Sequence, residues 1–304
     1  MGGGVVVLAG GTGGAKLARG MLDVAGDELT VIANTADDIE IYGAYVSPDP
    51  DLVLFWLADV IDDRGWGLRD DTFAVMDGLR GLGVDVWFAL GDRDLAIGIE
   101  RARRLADGAR LTDAIADLAA SLGVRARVLP MSDDPVRTWV QCRAHWTPFQ
   151  EFMIRGGAAE PIQNTRLRGV ENARPTPEIL AAIASASAIV IGPSNPVISI
   201  GPILSVPMMR QALLDSPAPI VAVSPIVGGA VLKGPTAAFL RWAGHEAADG
   251  AAIAACYDGL IDGLVADEEV EGLPVLQTDT LMTDAASRRR LAAETLRFAE
   301  GLAA

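Results

Sequence analysis

Apolar runs too short to be helices, each closing in a knot of Gly, Pro, Asn, Ser or Asp, constrain this chain more than any other feature. Val5–Ala9 runs into glycines, Leu29–Ala33 into Asn34-Thr-Ala-Asp-Asp38, and 84–89 into Leu90-Gly-Asp-Arg-Asp94. Ala188–Ile191 runs into Gly192-Pro-Ser-Asn-Pro196 and Ile220–Val223 into Ser224-Pro225. Runs at 125–129 and 273–277 repeat the habit, the second ending in Thr278-Asp-Thr280. Helical periodicity fills the intervals at 15–24, 52–82, 95–106, 111–122, 177–185 and 285–302. Short strands alternating with helices of about 10–15 residues predict an α/β fold, a mainly parallel sheet covered by helices on both faces. No repeat or Pro/Ser-rich linker divides the 304 residues. The expectation is a single α/β domain over 1–304, with a helical cap inserted at about 52–82.

Net charge is −15, against wholesale nucleic-acid binding, which needs a basic face. Lys16 and Lys233 are the only lysines, and both sit in Gly-containing loops, where a lysine can serve a phosphate or fall by chance. Cys142 and Cys256 are too few for a disulfide framework or a thiolate metal site, which fits a reducing compartment. His145 and His245 make neither a zinc pattern nor part of a nucleophilic triad. No apolar stretch approaches the ~20 residues needed to cross a bilayer, and the start lacks the basic region of a signal peptide. A cytoplasmic protein is expected.

Parallel sheets bind ligands outside the carboxyl ends of their strands, where these knots fall. Gly10-Gly-Thr-Gly-Gly-Ala-Lys16 follows the first run and opens a helix, so its N–H groups can approach a phosphate at a helix N-terminus. It lacks the Gly-Lys-Ser/Thr of a Walker A loop and the last glycine of the dinucleotide fingerprint. Asn34, Asp37, Asp38, Asp49 and Asp51 could hold Mg²⁺ and take a proton from an attacking hydroxyl, or could be capping and solvated loop acids. Arg93 could clamp a phosphate with Asp92 or Asp94 orienting it, or the segment could be a capped helix start. Ser194, Asn195 and Pro196 could form a stiff loop for a base or phosphate. Trp56, Trp66 and Trp87 could stack on a flat ring, although core packing is the commoner role of Trp.

Taken together, these segments resemble the 2-phospho-L-lactate transferase family (CofD, FbiA in actinobacteria). The stretches that carry the resemblance are Leu8-Ala-Gly-Gly-Thr-Gly-Gly-Ala-Lys-Leu17, Asn34-Thr-Ala-Asp-Asp38, Ser47-Pro-Asp-Pro-Asp51 and Gly91-Asp-Arg-Asp94. Leu129-Pro-Met-Ser-Asp-Asp-Pro135, Ile191-Gly-Pro-Ser-Asn-Pro196, Val223-Ser-Pro-Ile226 and Asp279-Thr-Leu-Met-Thr283 follow in family order. The resemblance implies a Rossmann-like core with a helical insertion, usually a homodimer. It implies a Mg²⁺-dependent enzyme of coenzyme F420 biosynthesis. The donor would be a guanosine diphosphate ester of lactate or enolpyruvate, with glycerate used by related members. The acceptor would be Fo, a deazaflavin with a ribityl chain, and GMP would leave. Nucleotide binding falls to Gly10, Gly11, Thr12, Gly13, Gly14, Lys16, Ser194, Asn195 and Pro196. Fo falls to Asp51, Phe88, Asp92 and Arg93, Mg²⁺ to Asp37, Asp38 and Asp49, and catalysis to Asp37, Asp38 and Asp51. Pro50 and Leu52 stand where the family pattern has Leu and Thr. The rival readings are another Rossmann-type nucleotide-binding enzyme, which predicts a complete fingerprint, and a non-catalytic nucleotide sensor, which predicts loss of the acids.

Overall fold

Val5–Ala9 has no polar face, and all five of its side chains are buried, so it can only be an interior strand of a sheet covered on both sides. The computed structural model describes residues 3–158, 161–232 and 234–303, and Lys233 lies outside them. The central sheet strands, in chain order, are β1 (Val5–Ala9), β2 (Leu29–Ala33), β3 (Arg127–Pro130), β4 (Ala188–Ile191), β5 (Ile220–Val223), β6 (Gly263–Ala266) and β7 (Val275–Gln277). Across the sheet they run β7-β6-β5-β4-β1-β2-β3, and every neighbouring pair is parallel. The chain begins in the middle, steps outward to β3, then returns to β4 and steps outward the other way. The reversal lies between β1 and β4, and a Rossmann-like sheet offers its ligand crevice at the carboxyl ends of such a pair.

Alternation along β1 builds the two cores. Val5, Val7 and Ala9 face one side, where Leu17 and Met21 of α1 (Gly11–Ala25), Leu54 of α2 (Pro48–Leu57) and Leu291 of the last helix, Ala285–Leu302, close over them. Val6 and Leu8 face the other, packing with Ile179, Ile203, Leu213 and Ile253. Each such side chain, fully buried, contributes roughly 1.5–3 kcal/mol.

Between β2 and β3 the chain inserts a hairpin, Ile39–Ile41 with Ala44–Val46, then α2, α3 (Ala74–Gly81), α4 (Asp92–Ala106) and α5 (Leu111–Ser121). The stretch 52–82 is not one helical unit. α2 packs in the main core, whereas α3 and α4 share a small core of their own around Met76, Leu90 and Leu95. The strand expected at 84–89 does not form. No strand pairs with it; the Trp87 and Phe88 N–H groups donate instead to the Tyr42 hydroxyl, at 3.0 and 3.2 Å. A three-stranded antiparallel sheet between β3 and β4 (Arg137–Cys142, His145–Pro148 and Asn164–Arg168) and a short hairpin after β5 (Ile226–Val227 with Ala230–Val231) are further insertions. Among the described residues, no helix is long and apolar enough to cross a membrane.

Candidate active site

The first turn of α1, directly after β1, crosses the loop after β4 at a distance that leaves no room for side chains. A Cβ on Gly13 would collide with the Pro193 carbonyl, and one on Gly14 would lie 2.7 Å from the Ser194 hydroxyl. Gly11 has φ +63, a left-handed conformation that favours glycine. The Gly10 N–H donates to Ser194 Oγ at 3.3 Å, joining the two segments. Beside this crossing lies a cavity of 610 Å³, lined by Gly10, Gly11, Thr12, Gly13 and Lys16 on one side and Ser194 and Asn195 on the other. Gly14 and Pro196 do not line it; Gly14 packs against Ala9, and Pro196 is buried in the turn that follows Asn195. Asn195 Oδ1 accepts the N–H groups of Val197 and Ile198, while its Nδ2 is buried with no partner among the described residues. Thr280, from the loop after β7, brings a second buried and unmatched group, its hydroxyl, to the same cavity. Leaving such a group unpaired costs about 1–3 kcal/mol, a cost that a ligand with polar atoms at these points removes.

Acids cluster at the inner end of this cavity. Asp49 Oδ1 accepts the Gly11 N–H at 2.7 Å, and Oδ2 accepts Asn34 Nδ2 at 2.9 Å. Asn34 Oδ1 accepts the Ala36 N–H, which fixes the amide's orientation. Asp37 is 7% exposed, and its Oδ1 has no partner. Burial, and then repulsion from Asp49 and Asp38, holds Asp37 well above the usual carboxylate range. Burial also lifts Asp49 to about 6 against the hydrogen bonds from Asn34 and Gly11, and Asp38 to about 7 against the pull of Arg137 and Ser47. Asp38 accepts from Ser47 Oγ at 2.7 Å and lines neither cavity, whereas Asp37 and Asp49 both face the larger one. Among the described residues, no three His, Cys, Asp or Glu side chains converge into a metal cage. An orphaned, repelled carboxylate oxygen beside Asp49 nonetheless suits a cation that takes one or two ligands from protein and the rest from a substrate's phosphates.

A second cavity of 410 Å³ meets the first at Asp49, Trp66 and Ile154. Leu52, Phe55, Trp87 and Phe88 make its walls largely apolar. Asp51 faces it, and both of its oxygens are held by Arg101, a fully buried guanidinium that also donates to the Tyr45 carbonyl at 2.9 Å. Asp92 and Arg93 do not reach it. The Asp92 carboxylate caps α3, accepting from the Ala74 and Val75 N–H groups and the Thr72 hydroxyl. Arg93 donates to the Arg69 carbonyl. The helix-start reading of this segment is the one the fold adopts, and it is Asp94 that lines the cavity. Trp66 and Trp87 also line it, whereas Trp56 is core, stacked beneath Arg288 at 4.9 Å. Arg101 and Thr280 were not among the expected site residues, and Asp94 was expected only as an alternative orienter of Arg93. Asp94 and Thr280 carried a signal, each in a polar knot after an apolar run; Arg101 carried none.

A family model described as 2-phospho-L-lactate transferase CofD matches residues 5–294. A 2-phospho-L-lactate transferase of Methanosarcina mazei is 39% identical over 300 residues, covering 95% of this chain and 98% of its own. A phosphoenolpyruvate transferase of Streptomyces griseus is 41% identical over 313 residues, covering 97% and 98%. A solved structure of a UPF0052 family member from Bacillus halodurans superposes with TM-score 0.56 at 21% identity, covering 89% of this chain and 83% of that one, a likeness of fold.

Proposed function

The chain belongs to the 2-phospho-L-lactate transferase family, and on that premise we propose that it transfers a phospho-carboxylic acid from a guanosine diphosphate donor to the ribityl hydroxyl of Fo. It is an enzyme that moves a phosphorus-containing group, in the biosynthesis of coenzyme F420. The donor ester is lactate or enolpyruvate; relatives named for each lie at similar identity, 39% and 41%. We place the work in the cytoplasm, in a homodimer whose protomers are single α/β domains. Cys142 and Cys256 are not joined in a disulfide, which accords with that compartment.

The observation that carries this reading is the meeting of two cavities at Asp49, one with glycine N–H groups and polar side chains facing an apolar flank that includes Phe149, Met153 and Val231, the other walled almost wholly by apolar groups. The first suits a nucleoside diphosphate: glycine N–H groups and Lys16 for phosphate, Asn195 and Thr280 for its polar atoms. The second suits the flat deazaflavin against Trp87 and Phe88. At their junction the terminal hydroxyl oxygen attacks the phosphorus nearer the carboxylic acid. The bond to the bridging oxygen breaks, GMP leaves, and the hydroxyl proton passes to Asp51. Because Arg101 grips both oxygens of Asp51, the carboxylate meets the hydroxyl in one orientation. Asp37 and Asp49 would hold Mg²⁺, with Asp38 behind them. When bound, the ion neutralises charge on the diphosphate as the leaving group departs. The retained acids disfavour a nucleotide sensor.

Purified protein incubated with Fo, Mg²⁺ and each donor in turn, followed by mass spectrometry, tests the reading. A phosphodiester-linked deazaflavin with equal GMP is expected. Binding of Fo and GDP without product from any donor would overturn it.

A further inference from the structure

The second cavity contains a carboxyl group that the reaction above leaves unused. Three acids face this space: Asp49, Asp51 and Asp94. Asp49 is engaged by Gly11 and Asn34, and Asp51 by Arg101. The side chain of Asp94 makes no hydrogen bond to any described residue. It stands in the first turn of α4, two turns before Arg101 on the same helical face, yet Arg101 gives its donors to Asp51 and the Tyr45 carbonyl. Asp71 closes in from the other side, its carboxylate accepting the N–H groups of Arg93 and Asp94.

We propose that Asp94 selects the acceptor, its carboxylic acid donating a hydrogen bond to a carbonyl or hydroxyl oxygen of Fo. This rests on the assignment of the second cavity to Fo and adds the residue that reads it. The physical reason is crowding. A partly buried carboxyl beside the Asp51 and Asp71 carboxylates holds its proton to higher pH than a free one, opposed by Arg101, whose terminal nitrogens are already engaged. Burial first, then Asp51 and Asp71, push Asp94 up to about 7. A neutral acid in an apolar pocket is a donor, which its ionised form cannot be. The position of Asp94 at a helix N-terminus would by itself favour the ionised form, so a purely helix-capping role predicts the reverse protonation.

The probe is Fo without donor, titrated against wild type, Asp94→Asn and Asp94→Ala at pH 6 and pH 8. The Asn variant retains a donor and never ionises. At pH 6 it is expected to bind Fo within about threefold of wild type, and the Ala variant about tenfold more weakly. Between pH 6 and 8, wild type should lose about tenfold relative to Asp94→Asn, because a group titrating near 7 goes from about nine-tenths protonated to about one-tenth. The ratio cancels titration of Fo and of the other acids. A ratio unchanged with pH, or Asp94→Asn as weak as Asp94→Ala at pH 6, overturns the proposal. Binding of GDP with Mg²⁺ reports the other cavity. Wild type that binds GDP but not Fo at either pH removes the acceptor assignment and Asp94's role together. Pairing of wild type and Asp94→Asn at both pH values removes Asp94's role alone.

Discussion

At the scale of single residues, the second cavity, proposed for the acceptor, depends on one buried ion pair. Arg101 is the largest side chain fully removed from solvent, and its partner, Asp51, is 4% exposed. Removing one member of a buried pair strands the other charge, at a cost of about 3–5 kcal/mol. Arg101→Met should therefore destabilise the protein by about that amount, whereas Arg101→Lys, which cannot grip both oxygens, should mainly lower kcat, by about 10²-fold. Urea unfolding alongside steady-state kinetics separates the two; full activity in Arg101→Lys would show that the orientation of Asp51 is immaterial. On the donor side, Gly13→Ala places a methyl against the Pro193 carbonyl and should cost about 1–3 kcal/mol while weakening GDP binding, measurable by calorimetry. Unchanged GDP affinity would mean that the loop crossing does not shape the donor cavity. None of these pairings was visible in the sequence: Asp51 and Arg101 are 50 positions apart, and no spacing rule links them.

At the scale of elements, α4 carries both Asp94 and Arg101, so its seating against the hairpin sets the shape of the second cavity. Gly98 permits that seating: a Cβ there would lie 3.1 Å from Ala44 Cβ and 3.3 Å from the Tyr45 carbonyl. Gly98→Val should push the helix outward, raising KM for Fo by about tenfold while leaving donor KM within about twofold. Equal effects on both substrates would indicate general damage instead. The elements also show what a sequence can and cannot disclose. β1, β2, β4 and β5 matched their expected bounds because strands buried on both faces must be apolar throughout. β6 escaped notice because it opens on Gly263, whose missing side chain makes room for the Phe298 ring, leaving a run too thin to register. The run at 84–89 misled for the opposite reason: Trp87, Phe88 and Ala89 line a cavity, Val86 packs in the small core and Val84 is exposed, and no described strand pairs with them. The glycine loop and the acids were legible because strand-end knots in a parallel sheet converge on one edge. The division of labour within Gly91-Asp-Arg-Asp94 was not, since which acid caps and which faces the cavity depends on where α3 docks.

At the scale of the whole molecule, the acids should show in the pH dependence of stability. Asp37, Asp38 and Asp49 are raised in the folded state, the last two to about 7 and about 6, while the unfolded chain gives up these protons near 4. The folded state thus holds more protons between those values, and stability should fall as pH rises from about 4 through about 7. Glu100 and Glu178, at the surface and held low by their Arg partners, act only further into acid. Metal-free protein should resist urea better at pH 5 than at pH 8, and Mg²⁺ should recover part of the loss at pH 8. Greater metal-free stability at pH 8 would refute this account. The donor cavity has a further consequence. Its wall draws on Gly10 at one end and on Thr280 and Met282 at the other, and Lys16 reaches across to the Met282 carbonyl at 3.1 Å. A nascent chain leaving the ribosome therefore completes every strand of the central sheet before the wall opposite its glycine segment exists. On the proposed function, a nucleotide held there cannot guide early folding; it can stabilise the site only once both walls are in place.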